Sequence, residues 1–394
     1  YSIRRYVVDA HLGGPTALAR ARAALAARGI GLLLDFVPNH VAIDHPWTAS
    51  HPGDFIAGSE DDLRDDPTAF VRAGTRVLAN GRDPYFPAWT DVAQLNPWST
   101  GMRARAIDTL HTIAQQCDGV RCDMAMLMLD DVVERTWGIR AGAPLAQPYW
   151  EEVIYAVRAR SAAFTFVAEA YWDREADLHA QGFDLCYDKR LYDLLRDGGG
   201  VVAVREHLTR DEPRPDGLVR FLENHDEPRA ATVFDGARHR AAWIVTLTAP
   251  GATLLHDGQV TGTRTRLPVQ LGRATIEPVD DELADWYATV MRAADDPTFR
   301  SGDSRAATVV NGDTDRFLAR CWDGPTRWLV VVNLTADHAT GRVATGWHDL
   351  LGRRCHLVDP TTGAEHQRAG ADLVDGLPIV LGPWGHHLFR VTTS

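Results

Sequence analysis

From residue 16 to residue 293, short apolar runs of strand length alternate with longer segments of helical periodicity; beyond about residue 300 the helices stop. Such alternation drives a chain into a parallel sheet, because parallel neighbours need a crossover and the crossover is right-handed. Helices are read over 16–28, where Leu18, Ala21 and Leu25 share a face and Gly29 supplies a stop, and over 101–116, 151–160, 238–248 and 282–293. A further helix falls within 191–208. Between them lie strands 30–36, 119–122, 164–168, 183–187, 218–222 and 253–256. The first is almost wholly apolar and predicts a strand buried on both faces. Residues 41–98, dense in Pro, Asp, Gly and Trp, are too long for a connector and predict a small inserted subdomain. After 300 the strands 317–321, 328–333, 354–358 and 386–391 follow one another without helices. An α/β domain over 1–300 and a separate antiparallel β domain over 301–394 are therefore expected.

Composition narrows the partners. The 394 residues are 45% hydrophobic and 24% charged, which excludes disordered, collagen-like and coiled-coil chains. No apolar run approaches the roughly 18 residues of a membrane helix. Against 53 acidic residues stand 41 basic ones, and the net charge of −12 disfavours nucleic acid, which wants a basic face. The cysteines (Cys117, Cys122, Cys186, Cys321, Cys355) are odd in number and match no metal spacing, so a reducing, cytoplasmic setting is expected. A single lysine, Lys189, among many arginines and alanines reads as a GC-rich bacterial genome. The sequence opens on Tyr1 rather than Met, which reads either as a segment removed or as a sequence that begins mid-protein.

Three acids follow predicted strands. Asp123 succeeds Gly119-Val-Arg-Cys122, Glu169 succeeds Phe164-Thr-Phe-Val-Ala168, and Asp226 ends Phe221-Leu-Glu-Asn-His-Asp226. In a barrel of parallel strands, side chains at carboxyl ends converge on one mouth. Retaining glycoside hydrolysis needs such a set: one carboxylate as nucleophile and a second carboxyl as acid, then base. Like charge and burial raise one carboxyl's pKa, while an arginine keeps the other ionised. Arg121 stands two residues before Asp123, on the same strand face. His40 and His225 add imidazoles able to donate to sugar hydroxyls, and Tyr171 and Trp172 follow Glu169 at the mouth. Trp47, Tyr85, Phe86, Trp89 and Trp98 divide between sugar stacking and the core of the insertion. Cys122 is read as inert packing.

Four segments, Asp35-Phe-Val-Pro-Asn-His40, Gly119-Val-Arg-Cys-Asp123, Val167-Ala-Glu169 and Phe221-Leu-Glu-Asn-His-Asp226, resemble in order the four conserved regions of the α-amylase superfamily, glycoside hydrolase family 13. Val92-Ala-Gln-Leu-Asn96 sits where that family has a fifth. The resemblance implies a (β/α)8 TIM-type barrel with a subdomain inserted after the third strand and a C-terminal antiparallel β domain. It begins beyond the family's second strand, so two barrel strands are expected to be missing here, leaving open edges. It implies Asp123 as nucleophile, Glu169 as acid/base and Asp226 as the carboxylate gripping sugar hydroxyls. His40, Arg121 and His225 would surround the reacting ring, with Asp35 and Asn39 behind them. Leu127 replaces the histidine of calcium-binding members, and Gln94 the usual acid, so no metal or other cofactor is expected. Ser2, after Tyr1, departs from chain-end α-glucosidases. Glu169-Ala-Tyr-Trp172 is similar to trehalose-forming and disaccharide-acting members. The implied partner is an α-linked glucose carbohydrate, cleaved or transferred. The alternative is a non-catalytic carbohydrate-binding or scaffold protein of the same fold; phosphorolysis finds no phosphate-cradling glycine loop.

Overall fold

In the computed structural model the chain is described over residues 2–210, 214–269 and 273–393. Tyr1 lies outside the described residues. Two compact units emerge, 1–187 and 188–394.

The first unit is organised by four parallel strands, β1 (Leu33–Phe36), β2 (Gly119–Cys122), β3 (Thr165–Ala168) and β4 (Leu185–Tyr187), paired in that order. Their register aligns Asp35 with Arg121 and Arg121 with Val167. Gly119 opens β2 because a Cβ there would meet the Thr165 carbonyl at 2.5 Å. Helix α1 (Gly14–Ala26) precedes β1, and α2 (Thr100–Ala114) precedes β2. Ser99 caps α2 by accepting from the Met102 amide, and Met102, Ala106, Leu110 and Ile113 form its buried stripe. Helix α3 (Asp130–Trp137) and α4 (Tyr149–Arg158) follow β2; α4 buries Tyr149, Trp150, Val153, Ile154 and Val157.

One expectation is corrected here. The strand predicted over 30–36 is not buried on both faces: it spans Leu33–Phe36 alone, with Ile30 50% and Leu33 43% exposed. The reason is position, since β1 is the last strand on its side of the sheet. Residues 41–98 do form an inserted antiparallel layer of strands Ala57–Gly58, Arg76–Gly81 and Trp89–Gln94, joined by His40–Ala42, with Phe70–Ala73 against Arg76–Gly81. Ile56, Ala79 and Trp98 pack there with Val133 and Trp137 of α3. Trp98 is thus core, its Nε1 donating to Asp130 at 2.7 Å, whereas Tyr85 and Phe86 stay exposed.

The second unit holds the parallel pair β5 (Leu218–Arg220) and β6 (Ala252–Thr253), with helices α5 (Gly236–Leu247) and α6 (Asp281–Ala294). The helix read within 191–208 is two, Lys189–Arg196 and Gly200–Thr209, divided at Gly198–Gly199. Beyond 303 come a six-stranded and a three-stranded antiparallel sheet, closing over Phe317, Leu329, Val331, Leu357 and Phe389. That region is not free of helix: Gly370–Asp375 forms a short one, with Leu373 buried in the same core. Trp322 Nε1 donates to the Thr248 carbonyl at 2.9 Å, and Phe299 packs on Trp322 and Trp328. These contacts tie the strands after 303 to the helical part of the unit.

Two buried imidazoles report on this unit's stability. Burial lowers His239 to about 4, its Nε2 lying 2.7 Å from the Tyr287 hydroxyl, and lowers His386 to about 4 beside Trp286. Unfolded histidines take up protons near pH 6.5. Between pH 6.5 and 4 the unfolded chain therefore binds more protons than the folded one, and stability falls as pH falls through that window. Urea unfolding from pH 7 to 4.5 should show this slope, and His239→Gln with His386→Gln should flatten it.

Candidate active site

The site in the first unit is built at the carboxyl ends of β2 and β3. The Asp123 amide donates to the Phe36 carbonyl at 2.9 Å, and the Glu169 amide to the Cys122 carbonyl at 3.0 Å, so both acids continue the sheet ladder. Directly after Asp123 the chain reverses at Met124, a non-glycine residue in the left-handed region (φ 43°, ψ 48°). Such a conformation costs on the order of 1–3 kcal/mol and persists only where surroundings enforce it. Here it aims the Met124 amide at Glu169, donating to Oε2 at 2.7 Å.

Arg121 is the hub. Its Nη1 donates to Asp123 at 2.9 Å and lies 3.2 Å from Asp35, while its Nη2 lies 2.8 Å from Glu169. Asp35 reaches it because the β1–β2 register sets the two residues side by side. Burial works against the guanidinium's charge, but Glu169, Asp123 and Asp35 outweigh it and raise its pKa further. The Tyr171 hydroxyl donates to Glu169 Oε1 at 2.9 Å. Glu169 is almost fully buried; Asp123 is part-exposed. Asp123, Glu169, Arg121 and Tyr171 are thus brought together.

His40 makes its contacts elsewhere: its ring lies 5.2 Å from that of Trp89, and its Nδ1 3.4 Å from Asn39 Nδ2. Burial lowers it to about 4, against the pull of Asp91, so the ring is neutral at pH 7. In the second unit, His225 Nε2 lies 3.1 Å from the Asp226 carboxylate. Asn224 Oδ1 accepts from the Asp226 and Glu227 amides, both at 2.9 Å, and shapes this turn. Glu227 is tied to Lys189 at 3.2 Å and Arg196 at 3.4 Å.

Some supporting residues escaped sequence reasoning. Tyr6 straddles Val37, donating to its carbonyl at 3.2 Å and accepting from its amide at 2.9 Å, and burial raises its hydroxyl pKa. It sits in a stretch without periodicity, so no signal marked it. Tyr187, over whose ring the Arg121 guanidinium lies at 6.0 Å, did carry one: it is the last residue of the predicted strand 183–187.

The calcium of the family resemblance does not fit these residues. Asn39 Oδ1 accepts from Gln94 Nε2 at 2.8 Å, and the same Nε2 donates to the Leu95 carbonyl at 2.9 Å. Leu127 is a buried apolar side chain. Among the described residues no group of three or more His, Cys, Asp or Glu side chains is arranged to hold a metal.

No known family profile matches the chain. The chain is 26% identical over 357 residues to the α-amylase MalA of Haloarcula japonica, covering 89% of this chain and 46% of that protein. It therefore spans about half the length of this curated relative. Among solved structures, a noncanonic maltogenic α-amylase, AmyB, from Thermotoga neapolitana superposes with a TM-score of 0.72 at 18% identity, covering 100% of this chain and 85% of that one. An Anoxybacillus α-amylase gives 0.73 at 17% identity, with 100% and 83% coverage. A cyclic α-maltosyl-(1→6)-maltose hydrolase from Arthrobacter globiformis gives 0.67 at 19%, with 98% and 81%. At these identities the structures speak for fold: a (β/α) barrel of the TIM type with a C-terminal antiparallel β domain. The ordered motifs and the curated relative make the chain similar to the α-amylase superfamily, whose fold the solved structures share with it.

Proposed function

We propose that the chain is an α-retaining glycoside hydrolase or transglycosidase acting on an α-glucoside. The observation that carries the reading is the Arg121 guanidinium, which spans Asp123 on one nitrogen and buried Glu169 on the other. Two carboxyl groups held close by one cation suit the retaining arrangement. Asp123 Oδ attacks the anomeric carbon while Glu169 gives its proton to the departing glycosidic oxygen, leaving a β-linked glycosyl-enzyme. Glu169 then takes a proton from water or a sugar hydroxyl, that oxygen attacks the same carbon, and the Asp123–carbon bond breaks to give an α-product. The role of His40, as a neutral imidazole donating to a sugar hydroxyl, rests on the sequence motif. For Asp226 and His225 the roles rest on the sequence motif. The two names above, an α-amylase and a maltogenic α-amylase, support glucan or maltooligosaccharide as substrate. Five buried thiols support the reducing, cytoplasmic setting read from sequence. No helix among the described residues is long and apolar enough to cross a membrane.

Incubation with maltose, maltooligosaccharides, starch, sucrose and trehalose, with products resolved by chromatography, tests the activity. Asp123→Asn should fall on the order of 10⁴-fold or more. The first-formed product, caught by NMR before mutarotation, should be the α-anomer, and a β-anomer would sink the retaining reading. An active protein whose Asp123→Asn variant keeps its rate would remove Asp123 as nucleophile.

We also propose that the Asn39–Gln94 amide pair takes the place of the family's calcium. Thermal unfolding should then be unmoved by EDTA or millimolar Ca²⁺. A calcium-dependent rise in Tm that disappears in Gln94→Leu would show instead that these residues bind the ion.

A further inference from the structure

The second unit holds a buried ionic frame at the carboxyl ends of β5 and β6. Their register aligns Arg220 with Thr253, so Glu223 and His256, each three residues farther on, leave the same end of the sheet. Arg229 joins them there. Its Nη1 lies 3.1 Å from Glu223 Oε1 and 2.7 Å from His256 Nδ1. Its Nη2 donates to the Asp257 carbonyl at 2.7 Å, and its Nε to the Thr263 carbonyl at 3.3 Å. Gly258 leaves room for this guanidinium, since a Cβ there would collide with Nη2. The other oxygen of Glu223 accepts from the Ala230 amide. One fully buried carboxylate therefore ties the loop after β6 to the turn 224–229, which carries His225 and Asp226.

Arg229 decides the tautomer of His256. A guanidinium has only protons to offer, so at 2.7 Å Nδ1 must accept, and the neutral ring carries its proton on Nε2. A proton on Nδ1, aimed at Glu223 Oε1 3.1 Å away, would set two donors against each other at the shorter distance. The Nδ1 edge is packed on buried Glu223 and Arg229, yet the side chain is 28% exposed. Its open edge is the one that carries Nε2, which has no partner among the described residues. The neighbouring imidazole, His225, has its Nε2 on Asp226 instead. We infer that His256 is a further substrate-contacting residue, whose Nε2–H donates to a hydroxyl of the pyranose that Asp226 grips, while Glu223 and Arg229 hold the ring in that tautomer. The inference rests on the proposed function and deepens it. A carboxylate only accepts from sugar hydroxyls, so a donor fixed in the same frame supplies the opposite half of the recognition. An imidazole locked in one tautomer needs no reorganisation when the sugar arrives.

Two substitutions separate contact with the sugar from bracing of Arg229. Asparagine sets an oxygen near the place of Nδ1, where it still accepts from Arg229, and leaves the place of Nε2 empty. Glutamine sets an amide N–H near the place of Nε2 and gives up the contact with Arg229. On a maltooligosaccharide, His256→Asn should lose about tenfold in kcat/KM, and His256→Gln no more than about threefold. The reverse order is what a brace for Arg229 gives and would overturn the inference, as would equal losses in the two. Should either variant fail to fold by circular dichroism, nitrogen NMR of the wild-type histidines decides. The His256 ring should carry its proton on Nε2, and that nitrogen should shift as maltotriose is added. A proton on Nδ1, or an Nε2 that stays still while other resonances respond to the sugar, overturns the inference. A wild-type protein that turns over none of the sugars in the activity panel removes the reading beneath this one, and this one with it.

Discussion

The first unit's site depends on one guanidinium facing three carboxylates. Without Arg121, the side chains of Asp35, Asp123 and Glu169 would stand near one another as like charges, one of them deeply buried. Desolvating an arginine costs several kcal/mol, recovered only where geometry and further hydrogen bonds are good. Here the sheet supplies the geometry: the register of β1 against β2 puts Asp35 alongside, and two residues of strand put Asp123 on the same face. With Glu169 holding its proton, one cation against Asp35 and Asp123 still leaves surplus negative charge. In the proposed reaction that surplus faces an anomeric carbon becoming positive, and it is fixed before the substrate arrives.

Backbone strain does the fine positioning. Met124 turns in the left-handed region to put its amide on Glu169, and Trp172 and Asp173, three and four residues beyond Glu169, are left-handed as well. The proposed acid/base residue, Glu169, thus stands among unfavourable backbone conformations that tertiary contacts sustain. Helix α3 supplies such contacts: its Asp131 takes Arg174, and its Arg135 donates to the hydroxyl of Tyr85, whose ring meets Trp172. A loop free to relax would spoil the aim of the carboxyl by the ångström that catalysis does not tolerate.

What the sequence made legible follows the range of the forces involved. Strand 119–122 and its Asp123 were readable because a strand end is a local pattern, and Arg121 was readable because the two-residue strand period is local too. The insertion and the β-rich tail were readable as breaks in periodicity, though the short helix Gly370–Asp375 within the tail was not. The run 30–36 misled, because hydrophobicity reports what a strand could bury and says nothing of whether a neighbour covers it; β1 is an edge. Tyr6, Asp131 and Arg135 were invisible for a related reason: each acts through a partner 31 to 50 residues away. Tyr85 was legible as an aromatic of the insertion, for stacking or packing, and Trp172 as one near the mouth, but their pairing was not.

The donors around Glu169 carry a last consequence. A carboxyl that serves as acid must hold a proton, yet the Arg121 guanidinium faces it as an ion-pair partner and two donors reach it, the Met124 amide and the Tyr171 hydroxyl. That arrangement suits the ionised carboxylate, which is the base half of the proposed cycle. An arginine and a backbone amide can only donate. A tyrosine hydroxyl can rotate and accept instead, so of these three partners Tyr171 is the one compatible with both halves. In the proposed reaction, tyrosine two residues after Glu169 fills a role that phenylalanine could not: it lets Glu169 alternate between carrying a proton and taking one while Arg121 and the Met124 amide stay fixed.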